Sequence, residues 1–378
     1  AKDIFGEKFI PLHRPVFEGN ERQYLIDCID SNFVSSVGAR VTEFEEKVAQ
    51  FTGAKYAVAT VNGTAALHVS IKLAGVLPGD EVISQALTFI ATCNAISYSG
   101  ASPVFVDVDI DTMGMSPEAL IRFLENNAEK KFGGVYNKLT GKRIAACIPM
   151  HTFGFPCRIE ELASICNDWG IALIEDAAES LGSYVGSRHT GTFGTMGALS
   201  FNGNKVITTG GGGMLVTDDL NLARRAKHIT TTAKIPHSFE FTHDEIAFNY
   251  RMPNLNAALG CAQMERLDEL LFVKNKLFDQ WGEFFEENDV TFARAIKGAK
   301  ANHWLNTVIL ESKECRDDFL EYTNKAGVMT RPIWNLMSKL KMFQNCQKDN
   351  LQNSIWLQNR VINIPSSAPD GALSKVDS

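Results

Sequence analysis

Paired cysteines are missing from this chain. Its eight cysteines, at 28, 93, 147, 157, 166, 261, 315 and 346, are scattered and form no Cys-x-x-Cys pair. That spacing argues against a structural zinc site, so no metal is expected. Several lie inside apolar runs, such as Cys147 within Ile144 to Ile148. They are read as reduced core thiols, which points to a cytoplasmic protein. Long hydrophobic runs are also missing. No stretch approaches the roughly 20 apolar residues of a membrane-spanning helix, and Ala1 to Gly6 has no apolar signal core. Positive charge is not in excess, since the net charge is -7. This argues against a general nucleic-acid binder, although a sum hides local patches. Internal repeats and low-complexity tracts are absent as well.

What remains is ordinary globular material: 378 residues, 45% hydrophobic and 21% charged. That length suits one large and one small domain. After an extended arm to about residue 20, helices are expected over 20–30 and 41–51. From Tyr56 the pattern alternates. Strands are read at 56–61, 81–85, 103–108, 144–150, 171–175 and 196–201. Helices are read at 65–76, 88–98, 116–126 and 159–169. Such alternation predicts a mainly parallel sheet covered on both faces. One long helical region, 254 to about 285, holds the expected boundary between domains 1–260 and 261–378. A small α+β domain follows.

Ligands of open α/β sheets gather at the carboxyl ends of the strands, and four polar features fall there. Ser200-Phe201-Asn202-Gly203-Asn204-Lys205 ends a strand with one lysine. A lysine on a turn beside a core strand suits attack on a carbonyl, and a surface lysine in a glycine-rich loop reads the same way. Asn62-Gly63-Thr64-Ala65 opens a helix and offers amides and a hydroxyl to a phosphate. A plain helix cap has the same wording. Asp176 ends an apolar strand, where it either caps the next turn or holds a proton on a heterocyclic nitrogen. Glu179 lies one turn further on. His151 follows the strand ending at Met150. A phosphate cradle, an aspartate and a lysine in this order are what pyridoxal 5'-phosphate (PLP) requires.

Together, Asn62 to Leu67, Glu175-Asp176-Ala177-Ala178-Glu179, Ser200-Phe201-x-x-x-Lys205 and Asn249-Tyr250-Arg251-Met252 resemble the DegT/StrS-type sugar-nucleotide aminotransferases. The resemblance runs from the Pro11 arm to Arg331-Pro332. It implies a fold-type I PLP enzyme with a mainly parallel seven-stranded sheet and a smaller C-terminal α+β domain. It implies that Lys205 joins the cofactor's aldehyde and shuttles the proton, and that Asp176 pairs with the ring nitrogen. It places Glu179 near the phenolic oxygen, Phe89 on the ring, and Thr64, Ala65 and Ser200 on the phosphate. Asn249 matches an asparagine serving the partner subunit, which implies a homodimer with shared sites. His151 matches a His-x-x-Gly motif near the site and is placed among the substrate contacts with Arg331, which is a candidate for the nucleotide, as are the segments 33–40 and 303–306. The lysine at 205 favours transamination over the family's dehydratases. The wording is closest to enzymes that aminate C4 of a UDP-linked 4-keto-6-deoxy-N-acetylhexosamine, with glutamate as donor, for bacillosamine or legionaminic acid precursors.

Overall fold

The computed structural model describes residues 1–6, 9–131, 133–369 and 371–373. Its centre is a nine-stranded sheet. The strands are β1 (Tyr56–Thr60), β2 (Glu81–Gln85), β3 (Ser102–Val106), β4 (Ala128–Lys131), β5 (Gly134–Asn137), β6 (Arg143–Ile148), β7 (Ala172–Asp176), β8 (Met196–Ser200) and β9 (Gly213–Thr217). Seven lie on one path in the order β1-β9-β8-β7-β6-β2-β3, and β5, with β4 beyond it, branches from β6. β8, β7, β6, β2 and β3 run parallel. β9 opposes both β8 and β1, so six of the seven path strands point one way. The expected seven-stranded, mainly parallel sheet is this path.

The central strands are apolar because helices cover both faces. Val82, Ala146, Ile148, Ile174 and Ala198 pack with the helix Gly63–Leu73, whereas Ile83, Val104, Cys147 and Leu173 meet the helices Pro117–Asn127 and Ile159–Trp169. Each connection returns the chain to the same edge. The carboxyl ends of β1, β2, β6, β7 and β8 therefore share one rim, and β9 starts there.

The strand β9 was not expected. Its apolar core, Met214 to Val216, hides behind the glycine run 210–213. Gly213 is needed at its start, because a Cβ there would sit 2.4 Å from the Asn62 carbonyl. The helical region after Asn254 is two helices, Asn254–Glu265 and Leu267–Glu287. Arg266 (φ -110°, ψ 5°) leaves the helical well between them. The turn lets the first helix bury Ala257 and Cys261 in the main core. The second offers Leu277, Phe278, Trp281 and Phe285 to a C-terminal sheet. That sheet is antiparallel, with the order 291–292, 306–309, 361–364 and 331–332.

The arm is not a loose extension. Ile4 and Phe5 join the C-terminal apolar cluster, Ile10 bridges to Val328, and Leu12 accepts a hydrogen bond from the Ser366 amide. Among the described residues, no helix is long and apolar enough to cross a membrane.

Candidate active site

A cavity of about 550 Å³ opens at the shared rim, between the large sheet and the C-terminal unit. Gly63, Thr64, Phe89, Asp176, Glu179, Ser200, Lys205 and Arg331 all line it. These residues come from four strand ends and one distant segment. The topology thus unites most of the residues singled out in the sequence.

Asn62 caps the helix Gly63–Leu73 by accepting the Ala65 amide at 2.8 Å. Ala65 is buried and its amide is already taken, so it stands behind the cavity wall. Gly63 packs so closely on β8 that a Cβ would lie 2.9 Å from that of Ser200. The glycine lets a helix N-terminus and a strand-end hydroxyl converge, which is the arrangement an anion needs.

Asp176 ends β7 and is 2% exposed. Its Oδ2 accepts the Thr92 hydroxyl at 2.6 Å, and its Oδ1 accepts the Ala178 amide at 3.2 Å. Burial raises its pKa above the ordinary value, against the lowering effects of Thr92, Ala178, Lys205 and His151. A buried carboxylate short of positive charge fits a protonated ring nitrogen as its partner.

Lys205 reaches back from the turn after β8. Its Nζ donates to Glu179 Oε1 at 3.2 Å and sits 3.8 Å from the centroid of the Trp304 ring. The Trp304 indole in turn donates to the Asn204 carbonyl at 2.6 Å, which ties down the turn itself. The amine is therefore held by a carboxylate and a ring face.

Glu179 also accepts the Phe153 amide, at Oε2 and 2.8 Å. Burial raises its pKa from 4.5 to about 7, although Lys205 and the Phe153 amide oppose the rise. An acid whose folded pKa exceeds its unfolded one binds more protons when folded. Its contribution to stability therefore falls as pH rises from about 4.5 through about 7, and is level above that. Urea midpoints of the cofactor-free protein should carry this downward component, and Glu179→Gln should remove it. A variant with the wild-type slope would assign the titration to another group.

His151 and Asn249 lie off the cavity. His151 is fully buried, its Nε2 donating to Glu175 Oε2 (3.0 Å) and its Nδ1 accepting the Cys157 amide (3.3 Å). Burial lowers its pKa, but Cys157 and Glu175 outweigh that and raise it to about 10. It is a tie behind the rim, which corrects its placement among substrate contacts. Asn249 is exposed outside its own chain's cavity and accepts from Arg251 Nε at 3.2 Å. Of the segment 303–306, Trp304 and Leu305 line the cavity, whereas His303 stacks on Phe278 at 3.8 Å and Asn306 is buried away from it. The segment 33–40 borders a separate cleft of about 710 Å³.

The sequence reading missed Thr92 and Trp334, and took Trp304 only as part of the segment 303–306 offered to the nucleotide. Trp334 meets Phe153 with centroids 4.9 Å apart and Phe89 at 6.1 Å, forming an aromatic wall at the mouth. Nothing in the local sequence marks these residues, since each acts on a group many residues away.

Comparison with known proteins identifies the family. Residues 15–370 match the DegT/DnrJ/EryC1/StrS aminotransferase family. The chain is 37% identical over 337 residues to EpsN of Bacillus subtilis (strain 168), covering 89% of this chain and 84% of that one. It is 34% identical over 364 residues to a GDP-perosamine synthase of Escherichia coli O157:H7, covering 95% and 93%. The crystal structure of DesI in the presence of its TDP-sugar product superposes with a TM-score of 0.82 at 27% identity, over 96% of this chain and 88% of that one. A cavity joining a lysine, a buried aspartate and a helix N-terminus thus sits in a chain that belongs to the DegT/DnrJ/EryC1/StrS aminotransferase family, whose members are PLP-dependent transferases.

Proposed function

We propose that this protein transfers an amino group from glutamate to C4 of a nucleotide-linked 4-keto-6-deoxy sugar, in the synthesis of bacterial surface glycans. The observation that carries this is the meeting of Lys205, Glu179 and Asp176 in one cavity that Arg331 borders. Bound there, PLP supplies the electron sink for the carbon that loses its proton. The remaining work falls to the chain. Gly63, Thr64 and Ser200 hold the phosphate end, and Asp176 keeps the ring nitrogen protonated. Lys205 takes the proton from one carbon and returns it to the other. Glu179, placed at its Nζ, is positioned to balance the charge as that proton moves. Phe89 and Trp334 exclude water from one side.

Arg331 stands at the mouth and is exposed, with Nη1 on Asn324 Oδ1 at 2.9 Å and on the Thr330 carbonyl at 2.8 Å. Its fork suits a diphosphate, to which it can donate two hydrogen bonds at once. Nucleotide binding far from the reacting carbon can be used to position it. Asn249, exposed and away from its own cavity, is consistent with service to a second subunit in a homodimer. UDP is the carrier suggested by the motif wording. The relationship to the GDP-perosamine synthase favours a second reading, in which the carrier is GDP.

The test is a two-stage colour assay. Glutamate should bleach the yellow holoenzyme, and the correct keto sugar should restore the colour. UDP-2-acetamido-2,6-dideoxy-4-hexulose should do so, and the same sugar without its nucleotide should do so poorly. Restoration only by a GDP- or dTDP-linked sugar would reassign the carrier. Fast turnover of small keto acids with no response to any nucleotide sugar would overturn the reading.

A further inference from the structure

One buried cation lies outside the chemistry described so far. Lys274, midway along the helix Leu267–Glu287, is 1% exposed. Its Nζ donates to the Ser366 carbonyl at 2.7 Å and the Trp304 carbonyl at 3.2 Å, and it meets His13 Nε2 at 3.1 Å. Three acceptors match the three donors of an ammonium, yet none of these three is a carboxylate. Burial lowers its pKa from 10.5 to about 7. An apolar side chain of similar length would avoid that cost, so a device for fixing geometry explains the lysine better than stability does.

The three acceptors belong to separate parts of the chain. His13 is in the arm, next to Leu12, which lines the cavity. Ser366 follows the last strand of the C-terminal sheet. Trp304 is the residue whose ring faces the Lys205 ammonium and whose indole holds the Asn204 carbonyl. Trp304 also needs holding. The residue before it, His303, has φ 52°, a conformation that is costly for a side chain with a Cβ. A strained residue persists only where its surroundings over-determine it. Here the restraints are on both sides. Asn302 donates to the Glu179 and Leu181 carbonyls at 2.8 and 2.9 Å and accepts the Trp304 amide at 2.9 Å, while Lys274 holds the Trp304 carbonyl.

We propose that Lys274 is a positioning residue for Lys205: it fixes Trp304 against the amine and the turn that carries it, and knots the arm into the same point through His13. The proposal rests on the reading of Lys205 as the amine that takes up PLP. The ring face restricts where the amine lies, so a mobile Trp304 leaves Lys205 spread over more orientations. Attack on an aldehyde then loses part of the advantage of a prepared geometry.

The experiment compares wild type, Lys274→Met and His13→Leu, each reconstituted with PLP. Lys274→Met should fold, capture PLP about tenfold more slowly, and lose kcat while KM for the donor is unchanged, as expected for a loss of orientation with binding intact. Amide hydrogens over 202–206 should exchange faster in the cofactor-free protein. His13→Leu removes one acceptor without emptying the helix core and should change both readouts in the same direction by less. A lower unfolding midpoint with unchanged capture rate and exchange would overturn the proposal in favour of a purely structural lysine. If Lys274→Met does not fold, unchanged capture and exchange in His13→Leu overturns it instead. If borohydride fixes PLP to a lysine other than 205, the reading of the site fails, whereas exchange at 202–206 still decides whether Lys274 holds the turn.

Discussion

Lys205→Ala is expected to lower transamination by about three powers of ten or more, since among the described residues it removes the only amine on the cavity wall, the group proposed to move the proton. Borohydride should fix PLP to the peptide containing residue 205 in wild type and leave it free in the variant. Label on another lysine would remove the basis for every role assigned around this cavity. The variant should nevertheless fold. Removing one partner of a buried ion pair is usually costly because a charge is stranded. Glu179 has a remedy, because its pKa is already raised to about 7. Without the Lys205 charge it rises further and the carboxyl becomes neutral at assay pH. The measurable sign is a variant that retains its cavity and takes up PLP noncovalently.

Asp176→Asn is expected to separate stability from catalysis. Turnover should fall by about two to four powers of ten, because an amide cannot hold the ring nitrogen protonated. The cofactor-free protein should be no less stable. Burial penalises the carboxylate at position 176, and the substitution removes that penalty. The amide keeps an acceptor for the Ala178 N–H, and the Thr92 hydroxyl can turn from donor to acceptor. Urea denaturation and the rate of the glutamate half-reaction test both halves. Near-normal turnover would take Asp176 out of the mechanism. Normal PLP uptake with slow chemistry would place its effect after binding.

The corrections share a cause. His151 stands next to the rim in sequence, but the parallel register of β6 and β7 turns it inward onto Glu175. Asn306 lies on a strand whose other face meets the cavity, through Leu305. A one-residue shift along a strand reverses the side on which a side chain emerges. Polarity and proximity in sequence say nothing about that side. The break at Arg266 escaped for a related reason: apolar spacing continues through it, and the change of packing partner is visible only in three dimensions.

By itself, the sequence determined the alternation of strands and helices, and hence the parallel sheet and the rim where its strand ends meet. It also determined the turn chemistry at that rim: a capped helix start at Asn62 to Ala65, Asp176 closing an apolar strand and Lys205 on a polar turn. These are legible because caps, strand ends and turns depend on residues a few positions apart. Only the tertiary structure decided what surrounds each group. Thr92 reaches Asp176 across 84 positions. Trp304 reaches the turn of Lys205 across 100 positions. Lys274 gathers His13 and Ser366 from near opposite ends of the chain. Such contacts are set by the packing of whole elements, to which each residue contributes weakly, so no short stretch of sequence encodes them.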